Sequence, residues 1–101
     1  MTIEFLLTEQ AAAEYEAIVL YLCDSLQSPQ AAQHFESEFL RLVELASTQP
    51  ELFPLSRHTR LAELGYRILL VNRYIALYTY RDKQVVIAHI FHQTQDYSRL
   101  V

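Results

Sequence analysis

Apolar residues recur along this chain with two different periods. Tyr15, Ile18, Val19, Leu22 and Leu26 stand three, four, seven and eleven positions apart, counted from the first. That spacing marks one face of an amphipathic helix. Thr8 is placed to cap its start, and Glu9 sits where the positive end of a helix favours an acid. Glu9, Glu16 and Gln27 fall on the opposite face. A second stripe, Ala32, Phe35, Phe39, Leu42, Val43 and Ala46, leaves Gln33, Glu36, Ser37 and Glu44 turned away. Between the stripes, Ser28 is a natural cap and Pro29 suits a first helical position, where its missing N–H costs little. Gln49-Pro50 ends the second helix, because proline disfavours helical geometry in the residue before it. Two helices with so short a connection predict an antiparallel helical hairpin.

The period then changes. Thr2 to Leu7, ahead of the helices, predicts a short strand. From Gly65 onward, Tyr66 to Val71, Tyr74 to Tyr80 and Gln84 to Phe91 are rich in Tyr, Ile, Val and Leu. They are separated by Asn72-Arg73 and Arg81-Asp82-Lys83. Asparagine tolerates positive φ, so Asn72-Arg73 suits a two-residue hairpin turn, and three strands joined by short turns make an antiparallel meander. In the middle strand, Tyr74, Ala76, Tyr78 and Tyr80 share one face, and Ile75, Leu77 and Thr79 the other. Glu51 to Leu64, punctuated by Pro50 and Pro54, reads as an irregular loop with a short strand near Thr59–Leu61. The order predicts an α+β fold of two layers, an antiparallel sheet with the helical hairpin packed on one face.

With 101 residues, 51% hydrophobic and 20% charged, the chain has material for one domain over residues 1–101 and a real core. The single Cys23 makes no internal disulfide, which points to a reducing compartment. It reads as a small packing side chain. No basic-then-apolar leader opens the sequence, and no apolar stretch approaches the length of a membrane span, so a cytoplasmic protein without membrane contact is expected. The net charge of −4 is unevenly spread. Residues 1–50 hold one basic residue against eight acidic ones, and residues 51–101 hold seven basic against four acidic. Overall acidity disfavours strong direct binding to nucleic acid, whereas the basic half suits an acidic partner.

Chemistry-bearing residues are sparse. His34, His58, His89 and His92 are scattered, and the last two stand three apart on a strand, so they face opposite ways and predict no metal site. Gly65 is the only glycine, which excludes a glycine-rich phosphate loop, and no cofactor is expected. His92 has the side-chain chemistry of a general base, or of a strand-end histidine bonded to a carboxylate such as Asp96. Tyr66, Tyr74, Tyr78 and Tyr80 suit either a base-stacking platform or a half-buried sheet face.

Gly65-Tyr66-Arg67, then Val71, Tyr74 and Tyr78, then Val85, Ile87, Ile90, His92 and Asp96-Tyr97, resemble the C-terminal half of toxins of the ParE/RelE superfamily. Ala31-Ala32, Phe35, Leu42, Leu45, Pro50 and Phe53-Pro54 resemble its helical hairpin, and the likeness runs over residues 5 to 98. The resemblance implies a β-α-α-β(3–4) fold, a toxin of a type II toxin–antitoxin system, a plasmid-stabilisation role and a co-expressed antitoxin that wraps the toxin. RelE-like members cut messenger RNA on the ribosome, and ParE-like members poison DNA gyrase. RelE-like nucleases place an arginine after the tyrosine that opens the middle strand, and another just beyond the last long strand. Here Ile75 and the neighbourhood of Gln95 hold those places, and an apolar side chain cannot grip a phosphate as a guanidinium does. The expectation is therefore a gyrase inhibitor acting by binding rather than an enzyme. The alternatives are a ribosome-dependent endoribonuclease using His92, Tyr97 and Arg67, or a non-toxic partner-binding module. Arg57, Arg60, Arg67 and Arg73 are the expected contacts to an acidic antitoxin tail.

Overall fold

The computed structural model describes residues 5–95. The elements run in the order β1 (Phe5–Leu7), α1 (Glu9–Leu20), a π-helical turn (Tyr21–Ser25), α2 (Pro29–Thr48), α3 (Thr59–Glu63), β2 (Arg67–Val71), β3 (Tyr74–Arg81) and β4 (Gln84–His92). Four strands make one sheet in the order β1-β4-β3-β2. The meander β2-β3-β4 is antiparallel, as its short turns require, while β1 joins the far side of β4 in parallel.

The local signals act as read. Thr8 Oγ1 accepts the Ala11 N–H at 3.1 Å, and Ser28 Oγ accepts the Ala31 N–H at 3.2 Å, so each helix starts on its own cap. All six residues of the second stripe are buried. Asn72 sits at φ 57°, and Asp82 and Lys83 at 53° and 63°, the positive pair that a tight type I′ turn needs.

The first helix departs from expectation at Leu26. Tyr15, Ile18 and Val19 pack on the core and Leu22 is buried, but Leu26 is 54% exposed. The π-helical turn lengthens the repeat over Tyr21–Ser25, so the stripe loses phase and Leu26 rotates out. The reading of Glu51 to Leu64 also needs correction. Thr59–Leu61 is no strand but the start of α3. The chain bridges to the sheet instead through Leu55, paired with Arg67. Helix α3 ends on Gly65 at φ 89°: the Gly65 N–H reaches Ala62 O, and the Tyr66 N–H reaches Leu61 O. This is a Schellman closure, which explains why the only glycine stands there.

Both sheet faces are covered. Leu69, Val71, Ala76, Tyr78, Val85, Ile87 and Ile90 pack under the helical hairpin. Ile75, Leu77 and Phe91 pack with Leu61 of α3 on the other side. The alternation expected for β3 therefore holds, with Tyr74, Ala76 and Tyr78 towards the hairpin.

Strand β1 ends at Leu7, opposite Ile87, so the outer edge of β4 beyond Ile87 has no strand beside it among the described residues. A register shift sits there, between the pairs Leu77↔His89 and Tyr78↔Ile87. The exposed edge groups are met by α1 instead. Thr8 Oγ1 donates to Ala88 O at 2.9 Å, and the Ile90 N–H donates to Glu14 Oε1 at 2.9 Å. A carboxylate on the apolar side of α1 thus finishes the sheet edge.

Candidate functional site

Two clefts flank the hairpin turn of β2 and β3. The first, about 500 Å³, opens on the sheet face away from α1 and α2, between Arg57, His58, Ile68, Leu70, Ile75 and the Gln93–Gln95 segment. Its floor is aliphatic, and Ile75 is only 8% exposed. The second, about 570 Å³, lies where the end of the helical hairpin meets the Asn72-Arg73 turn. Tyr21, Leu22, Leu26, Ala31 and Phe35 wall it on one side, and Tyr74, Arg73 and His92 on the other, with His34 at its border.

The sequence-predicted residues do not converge on one centre. Arg57 borders the first cleft and Arg73 the second. Arg60 is exposed on α3. Arg67 is half-buried, and its Nη1 donates to Phe53 O at 2.6 Å, so it ties the segment after α2 to the sheet. Tyr97 and Asp96 lie outside the described residues. Arg67 pairs with Tyr78 and His92 with Tyr74, so four residues of β3 separate them. At the rise of a strand that is about 13 Å along the sheet, and the Arg67 guanidinium is already engaged with the Phe53 carbonyl.

His92 has a defined role in its surroundings. The Thr94 N–H donates to its Nδ1 at 3.2 Å, and Thr94 Oγ1 lies 2.8 Å from the same atom. A backbone N–H can only donate, so Nδ1 accepts and the neutral ring carries its proton on Nε2. The ring stands edge-on to Tyr74, centroids 5.3 Å apart. In this tautomer the free side of the imidazole offers a donor, not the lone pair a general base needs.

Of the platform tyrosines, Tyr74 and Tyr78 are occupied with packing, whereas Tyr80 is 40% exposed. Tyr78 is fully buried, its hydroxyl donating to Pro50 O at 2.8 Å, with Phe53 edge-on to the ring. Tyr74 packs against Phe35, and Tyr15 against Phe35 and Phe39. Burial pushes the Tyr78 phenol up to about 12 from 10.0, against a smaller pull downward from the Arg67 guanidinium. Because the folded value is raised, this stabilisation is complete below pH 10.0 and is lost as pH rises from there towards about 12. Urea midpoints on the alkaline side should therefore fall with pH, and less steeply in Tyr78→Phe. A variant with an unchanged slope would show that Tyr78 does not contribute.

Sequence reading missed Glu14 and the second cleft. Glu14 left a trace, an acid three residues after buried Ala11 and four before Ile18, within the apolar stripe. The cleft left none, since it depends on the π-helical turn.

Among the described residues no group of His, Cys, Asp and Glu could hold a metal ion, and no helix is long and apolar enough to cross a membrane. No curated protein matches the chain. A solved chain titled "Chromosomal ParDE TA system from P. aeruginosa" shares the fold, with a TM-score of 0.68 at 19% identity over 89% of this chain and 95% of that one. The family model "ParE toxin of type II toxin-antitoxin system, parDE" matches residues 5–97. The chain therefore belongs to the ParE toxin family of type II toxin–antitoxin systems.

Proposed function

We propose that this toxin inhibits DNA gyrase by binding, without breaking bonds of its own, and is silenced by a cognate antitoxin. The observation that carries the reading is the first cleft. Its floor is Ile68, Leu70 and Ile75, where the nuclease branch of the superfamily would need a cation against the phosphate. The separation of Arg67 from His92 and the occupied Nδ1 of His92 support the same reading. A protein that acts by binding needs surface rather than an acid–base pair, and Arg57 is exposed at the border of this cleft.

The test is a supercoiling assay with purified, antitoxin-free protein. Gyrase should lose its ability to introduce negative supercoils, and adding the antitoxin encoded beside the toxin should restore it. Undiminished supercoiling at saturating, folded toxin overturns the reading. Cleavage of translated messenger RNA, abolished in His92→Ala, would then be the next measurement.

A further inference from the structure

The sheet face away from the helical hairpin carries a further recess besides the first cleft. It measures about 310 Å³ and lies between Leu64, Tyr66, Thr79, Arg81 and Val86. Helix α3 stands between the two, with Leu61 packed on Ile75 and Leu77 of the sheet. His58, just before α3, borders the first cleft, and Leu64, just after it, borders the recess. On β3 the cleft is reached from Ile75 and the recess from Thr79 and Arg81, a separation of about 13–20 Å at the rise of a strand.

The two share a composition. Leu70 is 58% exposed in the first cleft, and Leu64 49% in the recess. Each has one exposed arginine, Arg57 and Arg81, and no acidic side chain is among the described lining residues of either. Arg60 and Glu63 on α3 cancel in charge, and so do Asp82 and Lys83 in the turn after Arg81. The face is therefore apolar with a basic surplus, on a chain whose net charge is −4. Large apolar side chains exposed in a patch and rimmed by charge mark a protein contact, whereas a nucleic-acid surface would draw on more cations. A standard protein interface covers roughly 800 Å² a side, enough to take the cleft and the recess in one footprint.

We propose that the α3 side of the sheet is the surface that meets gyrase, and that it fits an acidic protein surface with two apolar projections, one seated on Leu70 in the first cleft and one on Leu64 in the recess. The proposal rests on the reading of the chain as a gyrase inhibitor. Carboxylates opposite Arg57 and Arg81 set the register, and α3 lies between the two apolar seats.

The experiment measures calorimetric affinity of the full chain, without antitoxin, for DNA-free gyrase, with supercoiling inhibition and antitoxin affinity alongside. Arg57→Glu and Leu70→Ser alter the first cleft, and Leu64→Ser and Arg81→Glu the recess. All four positions are exposed, and thermal melts confirm that the variants fold. Each should weaken gyrase binding and inhibition by about tenfold or more. Leu40→Ser, exposed at 47% on α2 across the sheet, should bind and inhibit as the parent does. Gyrase affinity within about twofold of the parent for the variants of either site overturns the proposal and leaves the functional reading standing. Loss of antitoxin affinity in its place overturns it too, and gives the face to the antitoxin. A parent that binds gyrase only with DNA present, with arginine variants that lose binding to a DNA duplex alone, overturns it and gives the face to nucleic acid. A parent that does not inhibit gyrase overturns the functional reading and the proposal together.

Discussion

Phe35→Ala should lower the free energy of unfolding by about 3–5 kcal/mol, the range for truncating a buried phenylalanine. Phe35 is fully buried at the centre of an aromatic cluster, its centroid 5.5 Å from Tyr15, 6.2 Å from Phe39 and 5.3 Å from Tyr74. Those partners come from α1, α2 and β3, so one ring fastens the helical hairpin to the sheet. Its removal costs the transfer energy of the ring and the contacts of the walls around the void. Domains of this kind are stable by roughly 5–15 kcal/mol, so the variant should sit close to the unfolding threshold. Urea titration measures this directly. Phe35→Leu, which keeps much of the volume, should lose about half as much or less. A loss below about 1 kcal/mol for the alanine variant would mean that the hairpin collapses onto the vacated space, and the cluster would not be what joins the layers.

Glu14→Ala should cost about 2 kcal/mol, by removing a charged acceptor from a buried backbone donor. Ile90 is 2% exposed, and its N–H points at Glu14 Oε1. His89 Nδ1, buried without a hydrogen-bond partner, lies 3.7 Å from the same oxygen. With the carboxylate gone, both nitrogens face apolar surroundings or an invading water. Glu14→Gln keeps an oxygen acceptor and should lose clearly less. Amide exchange at Ile90 reports the effect locally, since its protection should drop further than that of β3 amides on the interior of the sheet. A cost within about 0.5 kcal/mol, the ordinary range for surface changes, would show that solvent already serves this edge.

These two positions illustrate different degrees of legibility. Phe35 could be read from spacing alone, because it lies in a stripe of period 3.6 bounded by a cap at Ser28 and a stop at Pro50. Glu14 could not be assigned its role, because that role depends on where β1 ends along β4 and on a register shift in β4. Arg67 shows the same dependence. An arginine in a family motif suggests chemistry, yet its guanidinium holds the carbonyl of Phe53, fourteen residues earlier in the chain.

What the sequence by itself determined is whatever short-range physics controls. The caps at Thr8 and Ser28, the turn residues Asn72 and Asp82-Lys83, the second helical stripe and the two faces of β3 follow from interactions within a few residues. These, with the family resemblance, carry the fold class and the toxin family. Only the tertiary structure decided which side of β4 receives β1, that α3 covers the second sheet face, and that the π-helical turn throws Leu26 outward. The clefts, and which arginines border them, belong to the same group. Each depends on packing between segments tens of residues apart, where the gain from burial overrides local preference and a small change of helical phase moves a side chain from core to surface.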